Sequence, residues 1–254
     1  MDSVRSGSEP KRLAEQHMPK ASLTDKAHEQ IKWWIIRYHL KPGSLLNVND
    51  LSRDLNMSQT PVREALSMLE QEHLIERRPN RGYIVRSLNL QEVEDIYDVR
   101  IALEVLAARQ TAKRINESNR ERLSAILDEV GRTLQTGNKQ RILELEQNFH
   151  VVVLESSGNR TLMEMGRLIL NRIWIIQNIN LLTHDHLSGA HPQHIQVFQA
   201  IKNGDSQKAA ILMKKHITSA KEFVLSRLKS SDNILSKLMM GFPIAEFEME
   251  TEKY

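Results

Sequence analysis

The chain has 254 residues, 40% of them apolar and 26% charged, and 35 basic against 32 acidic side chains leave a formal charge of +3. That make-up excludes collagen-like, low-complexity and extensively disordered proteins, and it leaves a soluble, core-forming chain long enough for two compact domains. Cysteine is absent, which removes disulfides, thiol nucleophiles and thiolate metal sites and fits a reducing cytoplasm.

Ten Gly and seven Pro leave few chain breaks, so a mainly α protein with short connections is expected. Residues 1–20 are polar, lack an apolar signal core and read as a flexible leader. The longest apolar stretch, Met163 to Leu182, is interrupted by Glu164, Arg167, Asn171, Arg172, Gln177 and Asn178. It is too polar to cross a bilayer, so no membrane partner is expected.

Residues 21–87 carry ten basic and eight acidic groups, so any polyanion contact there rests on placement of charge. Arg77, Arg78, Arg81 and Arg86 fall within ten residues. A first helix is expected from about Asp25 to His39, capped by Thr24, with Ala27, Ile31, Ile35 and Tyr38 in one apolar stripe. A short second helix starts near Asn49 and stops at Asn56-Met57. Ser58 or Thr60 caps a third, with Pro61 in its first turn, where a missing N–H is harmless. The β-friendly runs Leu74 to Arg78 and Tyr83 to Val85 flank the turn signal Pro79-Asn80-Arg81-Gly82. Three short helices and a hairpin wing describe a winged helix-turn-helix, whose third helix enters the DNA major groove; a helical protein-binding module is the alternative.

The run Ser58-Gln59-Thr60-Pro61-Val62-Arg63-Glu64-Ala65-Leu66, with Leu69, Leu74-Ile75 and Arg81-Gly82, resembles the GntR family of bacterial transcription regulators. The family usually has Arg where this chain has Gln59. The resemblance implies a DNA face made of Ser58, Gln59, Thr60, Arg63, Arg81 and Gly82. By chemistry, Arg63 suits guanine or phosphate, Gln59 adenine, and the two hydroxyls phosphates at the helix start. Arg81 would reach the backbone or minor groove. An ion pair of Arg63 with Glu64 or Glu70 is the plainer reading.

After a linker at 88–90, residues 91–230 read as an all-helical bundle of six or seven helices. Segments are expected at about Gln91–Ile115, Ser118–Thr136, Lys139–Ser157, Arg160–Leu182, His191–Asn203 and Asp205–Lys229. Glu146 and His150, four apart, share a helix face. His194 lies ten residues before Gly204 and His216 eleven after Asp205, so helices folding back at that turn set the two imidazoles side by side. Three imidazoles and a carboxylate suit a divalent metal, zinc first, with nickel, manganese or iron as alternatives. On spacing alone, hydrogen-bonded core histidines remain open.

Glu146-Gln147-Asn148-Phe149-His150, Ser156-Ser157-Gly158-Asn159, His194, Gly204-Asp205, Ala209, Met213 and His216 resemble the metal-binding branch of the FadR-type C-terminal domain, the FCD domain. That resemblance implies Glu146, His150, His194 and His216 as ligands, with Glu146 where the branch usually has Asp. It also implies a small organic acid as effector, clamped by Arg100 and, as a second candidate, Arg172. An intrahelical Arg100–Glu104 ion pair is the alternative for Arg100.

Together these features describe a non-enzymatic DNA-binding regulator, acting as a homodimer on a near-palindromic operator under control of a small carboxylate. The rival from another class is a metal-dependent HD-like phosphohydrolase, with His184-Asp185 as its dyad in an apparent loop. Residues 231–254 form an acidic tail bearing Phe242, Pro243 and Phe247.

Overall fold

In the computed structural model the described residues are 22–37, 39–79, 82–178 and 184–229. The leader, Tyr38, Arg81 and the acidic tail therefore lie outside them. The N-terminal part runs α1 (Leu23–Ile36), β1 (Leu45–Leu46), α2 (Val48–Asp54), α3 (Gln59–Gln71), β2 (Ile75–Arg78) and β3 (Gly82–Val85).

Helix α1 begins earlier than expected. Ser22 Oγ accepts the Asp25 N–H and the Asp25 carboxylate accepts the Ser22 N–H, each at 3.0 Å, a reciprocal capping box. Thr24 is already inside the helix and its hydroxyl donates to Glu64 of α3 at 2.6 Å. The helix also ends earlier, at Arg37, because the His39 and Leu40 N–H groups turn back to the Trp34 carbonyl. Asn47 caps α2, and Asn56, at φ 51°, makes the left-handed turn into α3. Ser58 precedes α3 without a side-chain capping bond.

Ala27, Ile31, Ile35, Val62, Leu66, Leu69, Ile75 and Val85 are buried in one core. The wing is three-stranded, in the order β1-β3-β2, with Leu45 opposite Ile84 and Glu76 opposite Ile84 on the other side. Strand β1 was not expected; two residues are too short to show an alternation.

The C-terminal part comprises α4 (Leu90–Arg114), α5 (Glu117–Thr136), α6 (Lys139–Ser156), α7 (Arg160–Asn178), α8 (His184–Lys202) and α9 (Ser206–Lys229). Asn89 and Glu92 form the capping box that starts α4, so Leu90 opens a helix where a linker was expected, and Leu88 is already in the core. Helix α4 lies along α9 and also touches α6, α7 and α8, which makes it the central helix behind the site.

Helix α8 starts at His184, seven residues before its expected start, although Pro192 sits inside it. Burial of Leu187 and Ala190 carries the helix through the breakers that suggested a loop. The HD pair thus falls in the first turn of a helix. The last expected residues of α7 lie outside the described ones. Among the described residues no helix is long and apolar enough to cross a membrane.

The two parts meet at α6 and α7. Ile175 of α7 is buried in the N-terminal core. Glu72, the C-cap of α3, is reached by His28 Nε2 at 2.8 Å, Lys32 Nζ at 2.9 Å and the Asn171 amide at 3.4 Å. Arg37, the C-cap of α1, donates to Glu144 of α6.

Candidate functional site

Three helices bring three imidazoles together. His150 comes from α6, His194 from α8 and His216 from α9, all buried, and their ring nitrogens lie within 4.8 Å of one another. The hairpin at Gly204, with φ 72°, closes the α8–α9 turn that sets His194 against His216. His194 Nε2 is 2.9 Å from His216 Nε2 and 3.2 Å from His150 Nε2. Those spacings approach the ~3.3 Å edge of a tetrahedron with ~2.0 Å metal–nitrogen bonds.

The outer nitrogens are held. His150 Nδ1 faces Glu104 of α4, and His216 Nδ1 is 3.0 Å from Gln193 Oε1. Their acceptor partners assign the proton to Nδ1 in both rings, which leaves lone pairs on both Nε2 atoms. His194 Nε2 stands between two lone pairs, and one proton on it serves only one of them. A cation among the three nitrogens satisfies all of them at once, and the Glu104 and Gln193 contacts are the outer hydrogen bonds that orient metal-bound imidazoles. Burial lowers the pKa of all three rings, and His216 and His150 push His194 further down. The rings are therefore neutral, the form that binds a metal.

Two buried carboxylates lie beside the outer nitrogens of the cluster. Glu146 Oε1 is buried, makes no hydrogen bond and lies 3.8 Å from His194 Nδ1. Burial raises its pKa to about 8, against the opposing pull of Arg100. Glu104 is the opposite case: burial alone would raise it, but His150 and Arg100 outweigh that and hold it at about 2. Arg100 Nε donates to Glu104 Oε1 at 2.6 Å, while its buried Nη1 has no partner. The ion pair and the site-facing guanidinium, offered as alternatives from the sequence, are both present. Glu146 is not among the groups whose ligand atoms lie within 4.8 Å of one another, since it faces Nδ1 and not Nε2 of His194. The three imidazoles alone form the donor set, and they fit a borderline divalent cation.

Arg172 is not brought to this cluster. It lies on α7, half-buried, where burial and the charge of Arg86 lower its pKa and Glu92 opposes them. Glu104 and Gln193 carry no sequence signal for a role at the site. The Glu104 spacing to Arg100 was visible, but its contact to His150 bridges 46 residues and has no local signature.

On the N-terminal surface Ser58, Gln59, Thr60 and Arg63 are all exposed at the start of α3. Gln59 Nε2 donates to Asn49 Oδ1 at 2.7 Å, and Gln59 Oε1 accepts from Arg63 Nη2 at 3.1 Å. Arg63 is thus steadied by Gln59, while Glu64 accepts from Thr24. Asn49 of α2 joins this surface, with no motif in the sequence to mark it. Gly82 opens β3 with φ 86°, a conformation that favours glycine. Arg81 lies outside the described residues.

Comparison with known proteins places both parts. Residues 23–85 match the bacterial regulatory proteins of the gntR family, and residues 95–219 match the FCD domain. The chain is similar to the HTH-type transcriptional regulator YdhC of Bacillus subtilis, at 26% identity over 75% of this chain and 84% of that one. It is similar also to the HTH-type transcriptional repressor RspR of Escherichia coli, at 25% identity over 84% and 94% respectively. Among solved structures, E. coli McbR/YncC superposes with a TM-score of 0.74 at 20% identity, covering 82% of this chain and 99% of that one, which shows a shared fold. These family matches and relatives are regulators, not enzymes, so the phosphohydrolase reading falls away. The chain belongs to the GntR family of DNA-binding transcription regulators, with an FCD domain behind its winged helix-turn-helix.

Proposed function

We propose that this regulator works in the cytoplasm as a homodimer on a near-palindromic operator, its grip set by a small carboxylate at a divalent metal, zinc first, in the FCD domain. The observation that carries the reading is the convergence of three buried Nε2 atoms beside two unpartnered polar groups, Glu146 Oε1 and Arg100 Nη1. His150, His194 and His216 would hold the cation, with Glu146 as fourth ligand. The metal would supply a Lewis-acidic point of attachment for a carboxylate oxygen.

Arg100 Nη1 is left to donate to that carboxylate, with Glu104 fixing the guanidinium by its Nε. On DNA, Arg63 contacts guanine or phosphate, Gln59 reads adenine by exchanging one of its present hydrogen bonds, and Ser58, Thr60, Arg81 and the Gly82 turn hold the backbone. The effector acts only through contacts that differ between two arrangements of the reading heads. Helix α6 carries both the ligand-side residues and Glu144, which grips Arg37 of the DNA-binding part.

The test is a gel shift with operator DNA selected by the zinc-loaded protein, with and without acetate and benzoate. A carboxylate-dependent change in affinity that His150→Ala removes supports the proposal. An unchanged response in His150→Ala refutes control through the metal.

A further inference from the structure

The space bounded by the imidazoles, Arg100 and Glu146 is only about 20 Å³. That is room for an ion and on the order of one water, so the body of any acid larger than its own carboxylate extends elsewhere. A second cavity of about 280 Å³ lies between α8 and α9. The two cavities share His186, Ala190, His216 and Ala220 as walls, so they abut across a metal-side imidazole. By water volumes of ~30 Å³, the second has room for roughly nine water-sized groups.

Its remaining walls are Gly189, Gln193, Ser219 and Phe223. No Lys, Arg, Asp or Glu lines it among the described residues. Across both cavities the described walls offer a single guanidinium, that of Arg100. One cation site and one guanidinium match one carboxylate; a second carboxylate in the outer cavity would be desolvated without a countercharge. Neutral hydrogen bonding is available there. Gln193 spends its Oε1 on His216 and keeps its NH₂, and the Ser219 hydroxyl stands nearby. Phe223, stacked on His186 at 3.8 Å with an interplanar angle of 21°, provides a flat aromatic wall.

Resting on the function proposed above, we infer that the effector is a monocarboxylate with a neutral, flat body lodged between α8 and α9, and that Gly189, Ser219 and Phe223 set which acid is accepted. Flat rings suit Phe223, and a hydroxyl on the ring suits Gln193 and Ser219. Di- and tricarboxylates are disfavoured because the described walls hold no second cation.

Calorimetric titration of the zinc-loaded full chain with acetate, benzoate, 4-hydroxybenzoate, succinate and citrate tests this. Benzoate and 4-hydroxybenzoate are expected to bind at least ~10-fold tighter than acetate, a gain of ~1.4 kcal/mol, with succinate and citrate no tighter than acetate. In Gly189→Leu, where an added Cβ meets nothing within 4 Å, the aromatic advantage disappears while zinc content and acetate affinity persist. Phe223→Ala, which opens the cavity instead of filling it, also loses the advantage. If acetate fails to bind the zinc-loaded wild type, the metal–carboxylate function falls and this inference with it. If acetate binds but citrate or succinate outranks benzoate, or both variants keep the aromatic preference, the inference alone is overturned.

Discussion

Glu144 accepts a hydrogen bond from Arg37, and it stands two residues before Glu146 on the helix that also carries His150. The Arg37 guanidinium also lies 4.9 Å from the centre of the Trp33 ring on α1. One helix thus presents a candidate ligand on its inner face and a grip on the reading head on another.

Arg37→Ala and Glu144→Ala are expected to leave operator affinity without effector within about 3-fold of wild type, since neither residue is on the DNA face. They should reduce the effector-induced change, which for coupled sites is typically ~5- to 150-fold, toward none. Both side chains are partly exposed, so the stability cost is ~1 kcal/mol. Operator titrations with and without effector check this; an unaltered response in both variants would assign the coupling to another contact.

Glu104 serves two buried partners, so its removal has two consequences. Glu104→Gln should weaken zinc binding by roughly 10- to 100-fold through the loosened His150 ring. It also leaves Arg100 buried without a countercharge, a loss of ~3–5 kcal/mol in stability. Zinc competition titration and thermal unfolding measure the two effects separately, and Glu104→Asp should lose less of each.

On the DNA side, Arg63→Ala is expected to abolish specific binding, since a lost bidentate base contact costs ~1–3 kcal/mol per half-site. Asn49→Ala should cost less and act by releasing Gln59, changing base preference at one position. Selection of operator variants by each protein reads this directly; equal preferences in wild type and Asn49→Ala would remove Asn49 from the reading surface.

Acid should loosen the joint between the two parts. Burial tends to raise the Glu72 pKa, but hydrogen bonds from His28 and Lys32 outweigh it and hold the carboxyl below its ordinary 4.5. A lowered carboxylate stabilises the fold fully above pH 4.5, and that contribution disappears as pH falls through the lowered value. Unfolding temperature measured from pH 6 to pH 3 should drop in that window, and Glu72→Gln should flatten the drop while lowering stability at pH 6.

Much of this was legible in the sequence where a regular period met burial. Ala27, Ile31 and Ile35 recur on one face and are all buried, and Val62, Leu66 and Leu69 do the same on α3. The His194–His216 meeting follows from similar distances to the turn at Gly204-Asp205, ten residues before Gly204 and eleven after Asp205, whereas Glu146, on the helix of His150, is not among the clustered atoms. What escaped depended on tertiary contacts. Strand β1 has two residues and exists only because β3 pairs with it. The start of α8 was hidden by Pro192 and revealed by the buried Leu187. Arg172 has the residue type for an anion clamp, but its position on α7 puts it beside Arg86 and Glu92, away from the imidazoles. Asn49 looked like an ordinary polar residue near a helix start, and only the fold sets it against Gln59.

The most direct test is the metal content of the purified full chain after equilibration with zinc and removal of loosely bound ions. One tightly bound divalent cation per chain, lost in His194→Ala while the helical content is kept, is the predicted result. A wild-type chain that retains no cation, or a His194→Ala chain that retains as much as wild type, would contradict a metal centre at His150, His194 and His216.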